Sequence, residues 1–260
     1  MTRDACDLDW ETAAAMLAWQ FDLGVTEGIG DAPLNRYELE AAVPKPAPVP
    51  DTAAASTPAA ESDPVAEARA MAQAAPDLDA LAEAVAAFPH CELRRGARNT
   101  VFSDGRANAR VMIIGEAPGR EEDQAGRPFV GRAGQLLDRM LAAIGLARDT
   151  PDPQRAVYIT NVIPWRPPQN RDPRPDEVAM MLPFLERHVE LAAPDLVVVV
   201  GNIAAKAVLG QTGITRLRGT WGQGLGLPVM PMCHPAYLLR NPIAKREAWA
   251  DLLEIQARLR

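Results

Sequence analysis

The chain has 260 residues, 48% of them hydrophobic, a formal net charge of −7 and 3 cysteines. That length suits one large domain or a domain with appendages, and no run of about 18 apolar residues exists to cross a membrane. The acidic start MTRDACDLDW lacks a secretory layout, and the wide spacing of Cys6, Cys91 and Cys233 argues against a disulfide framework, so a cytoplasmic protein is expected.

In chain order, residues 8–24 (LDWETAAAMLAWQFDLG) carry apolar residues at helical spacing before a Gly stop and predict a helix within an N-terminal segment, 1–42. Residues 43–64 (VPKPAPVPDTAAASTPAAESDP) are too poor in large apolar side chains to offset ordering entropy and read as a flexible linker. Helical composition resumes over 65–87 and opens the main domain, 65–260. From about 110 the pattern alternates. Apolar runs at 110–115, 157–162, 196–201 and 228–235 predict strands, with helices expected at 133–145, 176–193, 202–209 and near 243–259. Strands apolar on both faces and alternating with helices predict an α/β fold: three α/β/α layers around a mainly parallel four-stranded sheet.

In such sheets ligands bind at the carboxyl ends of the strands. The four runs deliver Gly115-Glu116, Asn161, Gly201-Asn202 and His234 to that rim. Each could be an ordinary loop or cap residue: Asn161 a turn, Glu116 a helix cap, Phe129 core. Together, with one of only three histidines among them, they favour a site. His90 and His188 are assigned to structure. The turn GEAPGREEDQAGRPFVG (115–131) lacks the Lys-Ser/Thr of a P-loop and the dinucleotide glycine spacing, and a carboxylate at 116 would repel phosphate. It better suits backbone amides and a carboxylate approaching a neutral ring, with Phe129 as a stacking face. Charge is uneven: residues 1–90 hold 4 Lys and Arg against 16 Asp and Glu, while 91–260 hold 23 against 18. The larger part is therefore mildly basic, which is compatible with DNA contact.

GEAPGREEDQAGRPFVGRAGQLLDRML, YITNVIPWRPPQNRDP and CHPAYLLRNP, in that order and spacing, resemble the family 4 uracil-DNA glycosylases, the iron-sulfur type, from about residue 88 to the end. The resemblance implies roles position by position. Glu116 and Asn170 would position or activate the attacking water. Phe129 would stack on the extruded base, with Ala117 beside it in the substrate-binding set. Asn161 would read O4 and N3 of uracil, and His234 would donate to O2. Leu238 and Leu239 would wedge into the DNA, with Arg240 near the backbone. The chemistry is coherent, since a base must be flipped before it can be cut, and a donor at O2 strengthens as negative charge develops.

The chain departs from the family at the cluster. The four ligand positions fall on Phe88, Cys91, Trp165 and Met181, leaving one thiolate where four are needed. No cofactor and no metal are expected, with apolar side chains filling the volume. Position 116 as Glu separates the chain from mismatch-type and family 5 enzymes, which the resemblance would give Asn and Ala there. The segment 212–224 has no His, so hydrolytic turnover is expected rather than covalent trapping. The expected partner is uracil-containing DNA, single- or double-stranded, met by a monomer without membrane contact. Alternatives are a non-catalytic binder of uracil or abasic DNA, and a nucleoside hydrolase on the same sheet.

Overall fold

The computed structural model describes residues 10–22 and 63–260. The chain divides into two units, Met1–Thr57 and Pro58–Arg260. In the first, α1 (Trp10–Asp22) is the expected helix, and the linker reading over 43–62 lies outside the described residues. The last two residues of that reading start a helix instead. Asp63 accepts a hydrogen bond from Val65 N–H at 3.0 Å and Pro64 occupies the first helical position of α2 (Pro64–Ala74). The helical stretch 65–87 is broken at Pro76, after which Asp77 caps α3 (Leu78–Ala87) through Ala80 N–H at 2.8 Å.

The remaining elements run α4 (Leu93–Gly96), β1 (Ser103–Gly105), β2 (Val111–Gly115), α5 (Arg120–Ala125), α6 (Arg132–Ala143), β3 (Val157–Asn161), α7 (Pro175–Ala192), β4 (Leu196–Val200), α8 (Asn202–Leu209), α9 (Ile214–Leu217), β5 (Gly222–Gly224), β6 (Leu227–Met232), α10 (Pro235–Arg240) and α11 (Lys245–Leu259). The sheet order is β1-β3-β2-β4-β6-β5. The four expected strands are its parallel centre. The sheet has six strands rather than four, because short β1 and β5 add antiparallel to its two edges. Neither has an apolar run to announce it; each is held by pairing with a buried neighbour.

Alternation along the central strands divides the core in two. Met112, Ile114, Val197 and Val199 face one layer, which includes α2, α3, α7 and α8. Val111, Ile113, Val198, Val200 and Met232 face the other, with α6, α10 and α11. All these strand residues are buried, and burial of each such side chain contributes about 1.5–3 kcal/mol. The three-layer α/β/α reading therefore holds. Among the described residues no helix is long and apolar enough to cross a membrane.

Candidate active site

Strand register assembles the site. Gly115 pairs with Asn161 across β2 and β3, and Val200 with Met232 across β4 and β6, so all four central strands end at one rim. A cleft of about 620 Å³ opens there, and its lining includes Glu116, Ala117, Phe129, Asn161, Asn170 and His234. The structure thus brings together every residue expected to act on base or water.

Asn161 closes β3 and is 6% exposed. Its Oδ1 is buried without a hydrogen-bond partner, the only side-chain nitrogen or oxygen in that state among the described residues. Leaving such an acceptor unpaired costs about 1–3 kcal/mol, so the group is stable only because the fold imposes it. Gly115 makes room for it. A β-carbon at 115 would overlap Asn161 Oδ1 and stand 2.6 Å from the Cε2 and Cζ of Phe129. The amide and the ring edge therefore share the space a side chain would fill. Phe129 itself sits at φ +53°, a left-handed conformation costing about 1–3 kcal/mol for a residue with a β-carbon.

His234 follows β6 as the N-cap of α10, and its Nδ1 accepts a hydrogen bond from Ala236 N–H at 3.1 Å. Burial, with Arg240 adding, lowers its pKa to about 4, against an opposing pull from Glu122. At neutral pH the ring is uncharged, and with Nδ1 accepting, its proton lies on Nε2. His234 is therefore a neutral donor. Its ring stacks near Phe129, with centroids 5.6 Å apart and 30° between planes.

Glu116 does not cap the helix that follows it. Its Oε1 accepts from Ile203 N–H at 3.2 Å, at the start of α8, which follows the neighbouring strand β4. Gly201 lets it in: φ is +99°, and a β-carbon there would collide with the carboxylate. Burial raises the pKa of Glu116, the Ile203 amide opposes this, and the charge of Asp172 raises it further. A carboxylate with raised pKa at a helix N-terminus is suited to accept a proton. Asn202, beside it, accepts from Gly213 and Ile214 N–H at 3.1 and 2.9 Å and so folds the far wall of the cleft.

Asn170 ends a 3-10 turn, Pro168–Asn170, and is exposed at the cleft mouth. Its Oδ1 accepts from Arg166 Nε at 2.7 Å. The loop is anchored one residue on, where Arg171 grips the buried carboxylate of Glu177 with both terminal nitrogens, at 2.9 and 2.6 Å.

The wedge expectation needs correction. Leu238 is 0% exposed and belongs to the core beneath α6 and α11. The segment after His234 is a helix whose period of about 3.6 residues sends Leu238 inward. Ala236, Tyr237 and Arg240 line the cleft instead, while Leu239 is half-buried against the core. Sequence reasoning missed Tyr237, and also Glu122, which lines the cleft. A helical reading of PAYLLR would have found the first. The structural histidines lie elsewhere: His188 bonds Tyr158 Oη at 2.9 Å in the core, and His90 bonds Glu67 at 2.7 Å.

Phe88, Cys91, Trp165 and Met181 are each 0–1% exposed and part of one core layer. Phe88 packs edge-on to Phe184, and Trp165 Nε1 donates to Thr100 Oγ1 at 3.1 Å. One thiol, a thioether and two aromatic rings are not a donor set for an iron-sulfur cluster. Among the described residues no three His, Cys, Asp or Glu are grouped to hold a metal ion.

Comparison with known proteins agrees with this geometry. Residues 102–253 match the family model of the uracil DNA glycosylase superfamily. The chain is 38% identical to a type-4 uracil-DNA glycosylase of Archaeoglobus fulgidus over 189 residues, 68% of this chain and 91% of that protein. It is 40% identical to the type-4 enzyme of Thermotoga maritima over 167 residues, 63% and 84% of the two chains. A type-5 enzyme of Pyrobaculum aerophilum is 35% identical over 149 residues, 53% and 66%. The rim that gathers carboxylate, amide, ring and imidazole is thus the candidate site of a chain that belongs to the uracil-DNA glycosylase superfamily and is similar, over most of its main unit, to the type-4 enzymes.

Proposed function

We propose that this chain is a monofunctional uracil-DNA glycosylase of base excision repair. The observation that carries the reading is the unpaired Asn161 Oδ1, buried beside the Phe129 ring and near a neutral His234. Uracil supplies what that atom lacks. Its N3–H donates to Oδ1, its O4 accepts from Nδ2, and its face lies on Phe129. Cytosine reverses the donor and acceptor, leaving both groups unpaired.

Flipping costs a few kcal/mol of unstacking, offset by phosphate contacts and by filling the gap in the stack. Arg240 suits the first task, and Tyr237 with Leu239 the second, in place of buried Leu238. As the C1′–N1 bond breaks, its electron pair passes into the uracil ring and charge gathers at O2, where His234 Nε2–H donates more strongly than to the intact base. Glu116 orients the water that attacks C1′ and takes its proton, leaving an abasic site and a uracil anion. Asn170 helps hold the water. Among the described residues no lysine lines the cleft, which supports hydrolysis without strand cleavage.

The reading includes no iron-sulfur cluster, supported by the mismatched donor set and by Cys91, whose thiol burial pushes up in pKa and so keeps protonated. It also includes a monomer, since one chain supplies every cleft group, and a cytoplasmic setting, which suits the free buried thiols Cys91 and Cys233.

The test is incubation with single- and double-stranded oligonucleotides carrying one uracil, in EDTA, followed by alkali. Alkali-labile sites at the uracil are expected, with no visible absorption from a cluster. Tight binding without release would favour a non-catalytic binder, and release from free deoxyuridine a nucleoside hydrolase. Activity abolished by EDTA would refute the metal-free claim.

A further inference from the structure

The left-handed backbone of Phe129 needs something to hold it. Two side chains of opposite charge do so, one on the carbonyls and one on the amides of the same turn. Arg148 donates from Nη1 to Pro128 O and from Nη2 to Phe129 O, each at 2.9 Å. Glu122 Oε1 accepts from Val130 and Gly131 N–H, at 3.0 and 2.9 Å. The peptide groups on both sides of the ring are thereby fixed. Gly134, in the first turn of α6, allows the fit: a β-carbon there would overlap the Phe129 carbonyl and stand 2.7 Å from its Cα.

Arg148 is itself held. Asp138 on α6 and Asp104 on β1 accept from its Nε and Nη1, both at 2.9 Å, and its side chain is 13% exposed. It does not line the cleft. A guanidinium so placed, between two carboxylates and two carbonyls, stands behind the cleft rather than in it. Its planar fork spreads fixed donors over three nitrogens and so meets both carbonyls and both carboxylates, whereas an ammonium has three donors on one nitrogen and meets them only in part.

We propose that Arg148 is a positioning residue for the base platform: it fixes the ring of Phe129 beside Asn161 by holding the 128–129 carbonyls, with Glu122 as its anionic counterpart. This rests on the reading of Phe129 as the face on which extruded uracil stacks. Without Arg148 the turn relaxes toward negative φ and the ring leaves the position that Gly115 keeps clear for it. Initial DNA contact, made at the phosphates, is untouched.

The experiment is single-turnover excision of uracil from a duplex oligonucleotide by Arg148→Ala and Arg148→Lys, each alone and with Phe129→Ala. Displacement of a supporting group far from the chemistry costs up to about 100-fold, so Arg148→Ala should slow the chemical step by about 10- to 100-fold. Affinity for the oligonucleotide and its salt dependence should stay at parent values, and Lys should restore part of the rate. Combined with Phe129→Ala, loss of Arg148 should change the rate by less than about twofold, as expected for two residues acting as one. A further loss as large as in the parent background, or a weakened salt dependence of binding, overturns the proposal. Should Arg148→Ala fail to fold, Gly134→Ala strains the same carbonyl with every charge kept, and must give the same signature. Amide hydrogen exchange at Val130 and Gly131 reads the clamp without activity. A parent protein inactive on uracil DNA removes the functional reading, whereas unchanged exchange at those amides in an active protein removes the clamp.

Discussion

Replacing Asn161 by Asp changes one atom at the base-reading edge and gives a calculable shift in specificity. In the parent, the side chain faces the base with one acceptor and one donor, and Oδ1 has no other partner. Uracil complements both. Cytosine offers a lone pair at N3 and an amino group at C4, so acceptor meets acceptor and donor meets donor. At about 1–3 kcal/mol per unpaired buried group, two mismatches cost about 2–6 kcal/mol. That is roughly 30- to 25,000-fold in kcat/KM at about 1.4 kcal/mol per tenfold. In Asn161→Asp an ionised carboxylate offers two acceptors, so each base finds one match and one clash. If burial keeps the new carboxyl protonated, its hydroxyl can face O4 of uracil or N3 of cytosine with equal success. Either protonation state treats the two bases alike.

The expected result is a uracil-to-cytosine ratio that collapses by at least about 30-fold, with uracil excision itself reduced about 5- to 150-fold where the carboxylate is ionised and one group is left unpaired. The assay is single-turnover cleavage of end-labelled oligonucleotides carrying one uracil or one cytosine opposite guanine, treated with alkali and resolved on a denaturing gel. A variant that slows but keeps the parent ratio would falsify the assignment of Asn161 to the base edge.

Gly115→Ala should abolish excision while the protein still binds DNA, because the new methyl fills the space between Asn161 and Phe129; parent-like turnover would mean that the ring lies elsewhere in the working complex. In a pH–rate profile, His234 stays neutral down to about 4, while burial, aided by the charge of Asp172, makes Glu116 titrate above its ordinary value. The acid limb of kcat/KM therefore belongs to Glu116 and should vanish, with a lower plateau, in Glu116→Gln. A limb that survives assigns the base to another group. Because the folded-state pKa of Glu116 is raised, ionisation costs stability as pH rises through it, so Glu116→Gln should also melt higher than the parent at neutral pH. Leu238→Ala should cost about 2–5 kcal/mol of stability as a core deletion, whereas Tyr237→Ala should leave the melting temperature near the parent and selectively slow excision from duplex. The opposite pairing of effects would return the wedge to Leu238.

The central strands were legible because Val, Ile and Met runs buried on both faces have few other ways to fold. The edge strands were not. Ser103–Gly105 and Gly222–Gly224 have neither length nor β-branched side chains, and become strands only because Tyr158 and Val229 offer them open backbone groups to pair with. Likewise Asp63 and Pro64 close a Pro-rich tract in composition yet open α2 in geometry. Composition averages over a window, while a cap is decided by one hydrogen bond. The resemblance alone assigns Leu238 to the wedge, and the six residues of α10 carry too little periodicity to correct it.

The groups proposed to meet the base could be found in the sequence because each ends a strand or lies in a turn leaving one. The groups that hold them could not, since neither the fold of the 116–148 segment around Phe129 nor the neighbour that Glu116 meets across the sheet is written in a local pattern. Glu116 reaches the start of α8, 87 positions away, because β2 lies beside β4. A glycine in sequence advertises only local freedom. Gly201 has that local reason, a positive φ, and a distant one, the carboxylate it admits. Gly115 and Gly134 lack a positive φ and have only the neighbour as a reason: Gly115 leaves room for distant Asn161 and for Phe129, and Gly134 for the Phe129 carbonyl five residues before it. These three glycines serve less as hinges than as the negative image of the candidate site, and alanine at Gly115 or Gly134 should therefore injure catalysis before it injures the fold.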